Sequence, residues 1–138
     1  MYCSVNEMAK RFGQKELDKL ARADDNSFDA TQVEQAITDA TDRIDGYLAS
    51  RYTLPFISVP TVLNRLCADM SRYFLYDSNA PEQIKTRYDE AISFLKSVST
   101  GQASLGLTDD NSTPESNDLA EIQSAGTLFG RADSKGFI

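Results

Sequence analysis

Residues Pro60 to Asp77 read PTVLNRLCADMSRYFLYD, and this stretch decides the fold. Leu63, Leu66, Cys67, Met70, Tyr73 and Phe74 recur at steps of three and four, which lines them along one helical face. Val62, Leu75 and Tyr76 widen the apolar arc beyond the stripe of an ordinary surface helix. Pro60 suits the first helical turn, where its missing N–H costs nothing. A helix apolar around so much of its girth needs neighbours on several sides. It is expected to be the central helix of a small bundle, covered within the subunit except along an edge of Arg65, Asp69 and Arg72.

Its neighbours lie on both sides in the chain. Asp29 with Gln32 has the spacing of a capping arrangement and opens a helix over about 30–50. Val33, Ala36, Ile37, Ala40, Ile44, Tyr47 and Leu48 form its narrow apolar stripe, and Gly46 is its weak point. After the central helix, Ser78-Asn79-Ala80-Pro81-Glu82 supplies a turn, a cap and a proline for the first helical position. The helix that follows, about 81–99, carries Ile84, Tyr88, Ala91, Ile92, Leu95 and Val98, and Thr100-Gly101 ends it. Between the first two helices, RYTLPFISV (51–59) is kept extended by Pro55 and Pro60. Leu54, Phe56 and Ile57 are too apolar for a free loop, so this connector is expected to pack against the bundle.

Ser4-Val5-Asn6-Glu7 is a capping box that opens a short helix ending near Gly13, with Val5, Met8, Ala9 and Phe12 inward. A second short helix, about Gln14 to Ala21, offers Leu17 and Leu20 before the polar break Asp24-Asp25-Asn26-Ser27. The expected fold is therefore all-α: three main helices, about 30–50, 60–77 and 81–99, with short N-terminal helices. Residues 1–100 form the bundle domain, and 101–138 form a linker and an extended C-terminal arm.

A chain of 138 residues is long enough to bury a core without metal or disulfide staples. No apolar run approaches the ~20 residues needed to span a bilayer, and MYCSVNEMAKRF lacks the layout of a secretory signal. The expectation is a soluble protein that folds in a cytoplasm. Cys3 lies near a terminus, and Cys67 sits on the apolar face of the central helix as a small hydrophobe, so a disulfide framework or zinc site is not expected. Net charge is −7, and residues 31–50 carry one basic group against four acidic ones. Nothing in the chain is a basic footprint for a phosphate backbone.

The chain contains no histidine, which removes the usual general base and every imidazole-dependent triad or zinc set. No glycine-rich phosphate loop is present. Asp24 to Glu34 is acidic, but no register places glycine sixth and glutamate twelfth as a calcium loop requires. No cofactor, metal or catalytic residue is assigned, and the chain is not expected to be an enzyme. Asp39, Asp42 and Asp45, spaced by three, fall on the polar side of their helix, where a solvated face that pairs with basic groups of a neighbouring protein fits better than a catalytic pair. Tyr47, Tyr73, Tyr76 and Tyr88 are assigned chiefly to the core. In the tail, Leu128, Phe129, Arg131, Phe137 and Ile138 end a long polar linker. Disordered tails are poor in such residues, which points to an arm that lays apolar anchors on a partner.

Three runs, YLASRYTLPF, VPTVLNRLCADMSRYFLYD and IKTRYDEAISFLKSVSTGQASLGL, resemble the small neck protein of Mu-like tailed bacteriophages and prophages. The opening MYCSVNEMAKRFG with its ELDKLA helix and the ending TLFGRADSKGF are similar to that family too, and the fit is loosest over 108–125. The resemblance implies a head-completion or head-to-tail adaptor of the virion neck, present in the host cytoplasm during assembly. Such a protein forms a ring of about twelve copies beneath the portal protein. It projects terminal arms onto portal and neighbours, and it offers a docking surface for the stopper or tail terminator. DNA is then only passing cargo, and acidic groups on the channel wall would repel phosphates rather than grip them. Asp39, Asp42 and Asp45 are the expected lumen-facing residues. The alternative is an acidic protein-binding or DNA-mimic inhibitory module.

Overall fold

The computed structural model describes residues 1–106, and among them five α-helices and no strand make up an all-α bundle. They are α1 (Val5–Phe12), α2 (Gln14–Leu20), α3 (Ala30–Leu48), α4 (Thr61–Tyr76) and α5 (Glu82–Ser99), with a 3₁₀ turn at Asp77–Asn79. The helix α4 is the central post, packed against both α3 and α5, which also meet each other. It runs antiparallel to α3: Ser71 Oγ reaches Ala36 O at 3.5 Å, and a turn back along α4 Cys67 Sγ meets Thr41 Oγ1 at 3.7 Å.

The core is the stripe of each helix brought together. Leu63, Leu66, Cys67, Ala68 and Met70 of α4 are buried against Ile37, Ala40, Ile44 and Leu48 of α3 and Ala91, Leu95 and Val98 of α5. Met8, Leu17 and Ala21 close it from the N-terminal side, and each fully buried Val, Leu, Ile or Met contributes about 1.5–3 kcal/mol.

Local chemistry sets the helix ends. Ser4 Oγ accepts from the Glu7 N–H at 3.1 Å, but the Glu7 carboxylate turns to Asn64 Nδ2 at 2.8 Å, so only half of the expected box forms. Gly13, at φ 94°, breaks α1 from α2 in a conformation that other residues adopt only with strain. Asp29 caps α3 through Thr31 N–H (3.0 Å), while Gln32 Nε2 bridges Asp29 Oδ2 and Arg22 O. Pro60 and Pro81 occupy the cap positions just outside α4 and α5, one residue earlier than expected, both in extended conformation.

Three expectations need correction. Asp69, expected on an exposed edge, is only 6% exposed, because α1 and α5 overhang that flank of α4. In the connector Phe56 turns inward, against Tyr52 and Tyr2. Ile57 beside it is left 75% exposed. Tyr47, Tyr73, Tyr76 and Tyr88 are half-buried at the rim of the core, and Tyr52 is the buried tyrosine. Cys3, near the terminus, is also buried, at 4% exposure.

The first linker residues return to the bundle. Arg51 Nη1 donates to Val98 O (3.2 Å) and Ala103 O (2.6 Å), and Tyr52 Oη accepts from Leu105 N–H at 3.3 Å. The remainder of the expected arm, including Leu128, Phe129, Arg131, Phe137 and Ile138, lies outside the described residues.

Candidate docking surfaces

Tyr2 clips the N-terminus across the bundle. Its N–H donates to Thr41 Oγ1 of α3 at 3.4 Å, its carbonyl accepts from Asn64 Nδ2 of α4 at 3.0 Å, and its ring faces Phe56. The Tyr2 hydroxyl donates to Asp45, and burial together with that carboxylate pushes the phenol well above its ordinary range. Burial likewise raises the thiols of Cys3, to about 12, and Cys67, so both stay protonated and unreactive.

This clip divides the carboxylates expected to act together. Asp39 and Asp42 are exposed on the outer face of α3, with Gln35 Nε2 donating to Asp39 at 3.0 Å. Asp45 is half-buried and engaged by Tyr2. The outer acidic pair is thus Asp39 and Asp42, joined by exposed Glu34 toward the start of the helix.

A second charged surface escaped the sequence reading. The edge of α4 bearing Arg65, Asp69 and Arg72 floors a groove of about 790 Å³, walled by the end of α1 with Arg11 and by α5 with Arg87 and Glu90. Burial raises the Asp69 carboxyl, opposed by the nearby guanidiniums of Arg65, Arg87, Arg11 and Arg72. Arg65 approaches Asp69 at 3.6 Å, and Arg72 forks onto Glu16 of α2. The signal was divided over three helices, so no run of the chain looked basic. Elsewhere on the rim, Tyr73 and Tyr88 stack at 4.2 Å with Phe74 edge-on to Tyr88.

Among the described residues no group of three or more His, Cys, Asp or Glu side chains is placed to hold a metal ion, and no helix is long and apolar enough to cross a membrane. A family model described as Bacteriophage Mu, Gp36 matches residues 2–124.

The chain belongs to the bacteriophage Mu Gp36 family.

Relatives of this family extend the match along the whole chain. The Mu-like prophage FluMu protein gp36 of Haemophilus influenzae is 42% identical over 139 residues, covering 100% of this chain and 99% of the relative. Gene product J of Escherichia phage Mu is 38% identical over 141 residues, covering 99% of each. This member of the Gp36 family is therefore a Mu-like phage protein, and every helix of its bundle falls within the matched region. The family match ends at 124, before Leu128, Phe129, Arg131, Phe137 and Ile138.

Proposed function

We propose that this Gp36-family chain is a structural protein of the phage neck: a head-to-tail adaptor that forms a ring under the portal and docks the stopper or tail. The observation that carries the reading is whole-length similarity to Mu and Mu-like prophage proteins in a chain whose body is a helical bundle with two charged outer faces. Three of the stretches that resemble neck proteins fall in the body: 47–56 covers the end of α3 and part of the connector, 59–77 covers α4, and 84–106 covers most of α5 and its return loop. A body of this kind supplies faces for assembly. The tail residues Leu128, Phe129, Arg131, Phe137 and Ile138 are the anchors assigned to the portal or a neighbouring copy. Catalysis is not part of this reading, since the chain has no histidine to serve as the usual general base at neutral pH.

The rival reading, an acidic mimic of DNA, requires carboxylates spaced like phosphates over a continuous face. The α3 face does not support it, because Asp45 is engaged by Tyr2 and Arg43 interrupts the acidic run.

The test is complementation. Purified protein added to DNA-filled heads from a phage mutant lacking it is expected to restore tail joining, and failure to do so overturns the adaptor assignment. Deleting 126–138 is expected to leave the melting curve of the bundle intact while abolishing docking to portal-bearing heads.

A further inference from the structure

The two charged surfaces lie on opposite sides of α4. Cys67 and Ser71 face α3, within reach of Ile37 O at 3.9 Å and Ala36 O at 3.5 Å. Positions 65 and 69 stand about half a turn away from them at 3.6 residues per turn, and they floor the arginine groove. The groove lining holds four guanidiniums, Arg11, Arg65, Arg72 and Arg87, against the carboxylates of Asp69 and Glu90. Arg72 is committed to Glu16 and Arg11 to Asn64, while Arg65 on the floor leans on Asp69 at 3.6 Å with its side chain still 59% exposed, and Arg87 is exposed on the α5 wall. Beyond α4 on the other side, the outer arc of α3 presents Asp39 and Asp42 one helical turn apart.

From this opposition we infer that the occupant of the arginine groove is a second copy of the chain, whose Asp39 and Asp42 seat against Arg65 and Arg87. No copy can bring its own α3 face round to its own groove. The contact is therefore heterologous, and repetition of it closes a ring or runs on as a filament. A nucleic acid suits the groove less well than two carboxylates do, because Asp69 and Glu90 interrupt the guanidiniums and leave no continuous basic track for a phosphate chain. This deepens the neck reading by naming a contact between copies, and it moves Asp39 and Asp42 from a channel wall to a subunit interface.

The experiment is sedimentation velocity of the full chain at low and high salt with paired charge reversals. Arg65→Glu/Arg87→Glu makes the groove acidic, and Asp39→Arg/Asp42→Arg makes the α3 face basic. Wild type is expected to self-associate at low salt and less so at high salt. Each double variant alone is expected to lose roughly tenfold or more in affinity, as reversed charges at an interface do. Mixing the two variants restores association, because each face then meets an opposite charge. Should Arg65→Glu beside Asp69 lower the melting temperature, Arg87→Glu alone carries the groove arm of the test.

The inference is overturned if wild type stays monomeric at every concentration, if the reversals leave association unchanged, or if mixing fails to restore it. It is also overturned if neutralising Asp109, Asp110, Glu115, Asp118 and Glu121 to Asn or Gln abolishes association, which would make the acidic segment 107–125 the groove's occupant. Variants that fail to associate yet still restore tail joining would sink the neck role of this contact. Heads that wild type cannot complete would sink the adaptor reading and leave the contact standing.

Discussion

The Arg72 guanidinium of α4 donates from Nε and Nη2 to both carboxylate oxygens of Glu16 in α2, at 2.6 and 2.8 Å, while its Cζ lies 4.3 Å from the centre of the Phe12 ring. Both side chains are about four-fifths covered, so the fork is shielded from solvent far better than a surface pair. A double-mutant cycle of Arg72→Met and Glu16→Gln by urea unfolding is expected to give a coupling of about 1–2 kcal/mol. Arg72→Lys should recover less than half of it, since an ammonium has no fork.

Asn64 is the joint of the N-terminal clip. Its Nδ2 donates to Tyr2 O (3.0 Å) and Glu7 Oε2 (2.8 Å), and its Oδ1 accepts from Arg11 Nη2 at 2.7 Å. Asn64→Ala is expected to cost about 1–2 kcal/mol. Hydrogen exchange should locate the loss: amides of residues 1–12 exchange faster while those of α5 are unchanged.

Asp69 makes stability depend on pH with an unusual sign. Burial raises its folded pKa above the unfolded value of about 3.9, so the native state holds the proton more tightly. Its contribution is fully present below the unfolded pKa and is lost as pH rises through the raised folded pKa. Asp69→Asn is therefore expected to gain stability relative to wild type on going from acid to neutral pH, measured as the difference of denaturation midpoints. A difference that is flat across the carboxylate range would refute this.

Gly46 sits on the exposed side of α3, and a Cβ added there meets nothing within 4 Å. Gly46→Ala is expected to stabilise the bundle by about 0.5–1 kcal/mol, seen as a melting temperature higher by a few degrees.

The sequence by itself determined the helices and most of the core. Steps of three and four at Leu63, Leu66, Cys67 and Met70, and their counterparts in α3 and α5, are local patterns, as are Ser4, Asp29 and Gly13 at helix ends. Burial of those stripes leaves little choice but to pack the three long helices together. What only the tertiary structure decided are relationships between residues far apart in the chain. Tyr2 could not be matched to Asp45 or Asn64 from spacing, because the clip depends on how α3 and α4 cross. Asp69 read as a surface carboxylate because its own helix exposes it, and the cover comes from α1 and α5. The arginine groove is the same case on a larger scale. Helical periodicity reports which residues share a face, whereas charge at a surface is the sum over every element that reaches it.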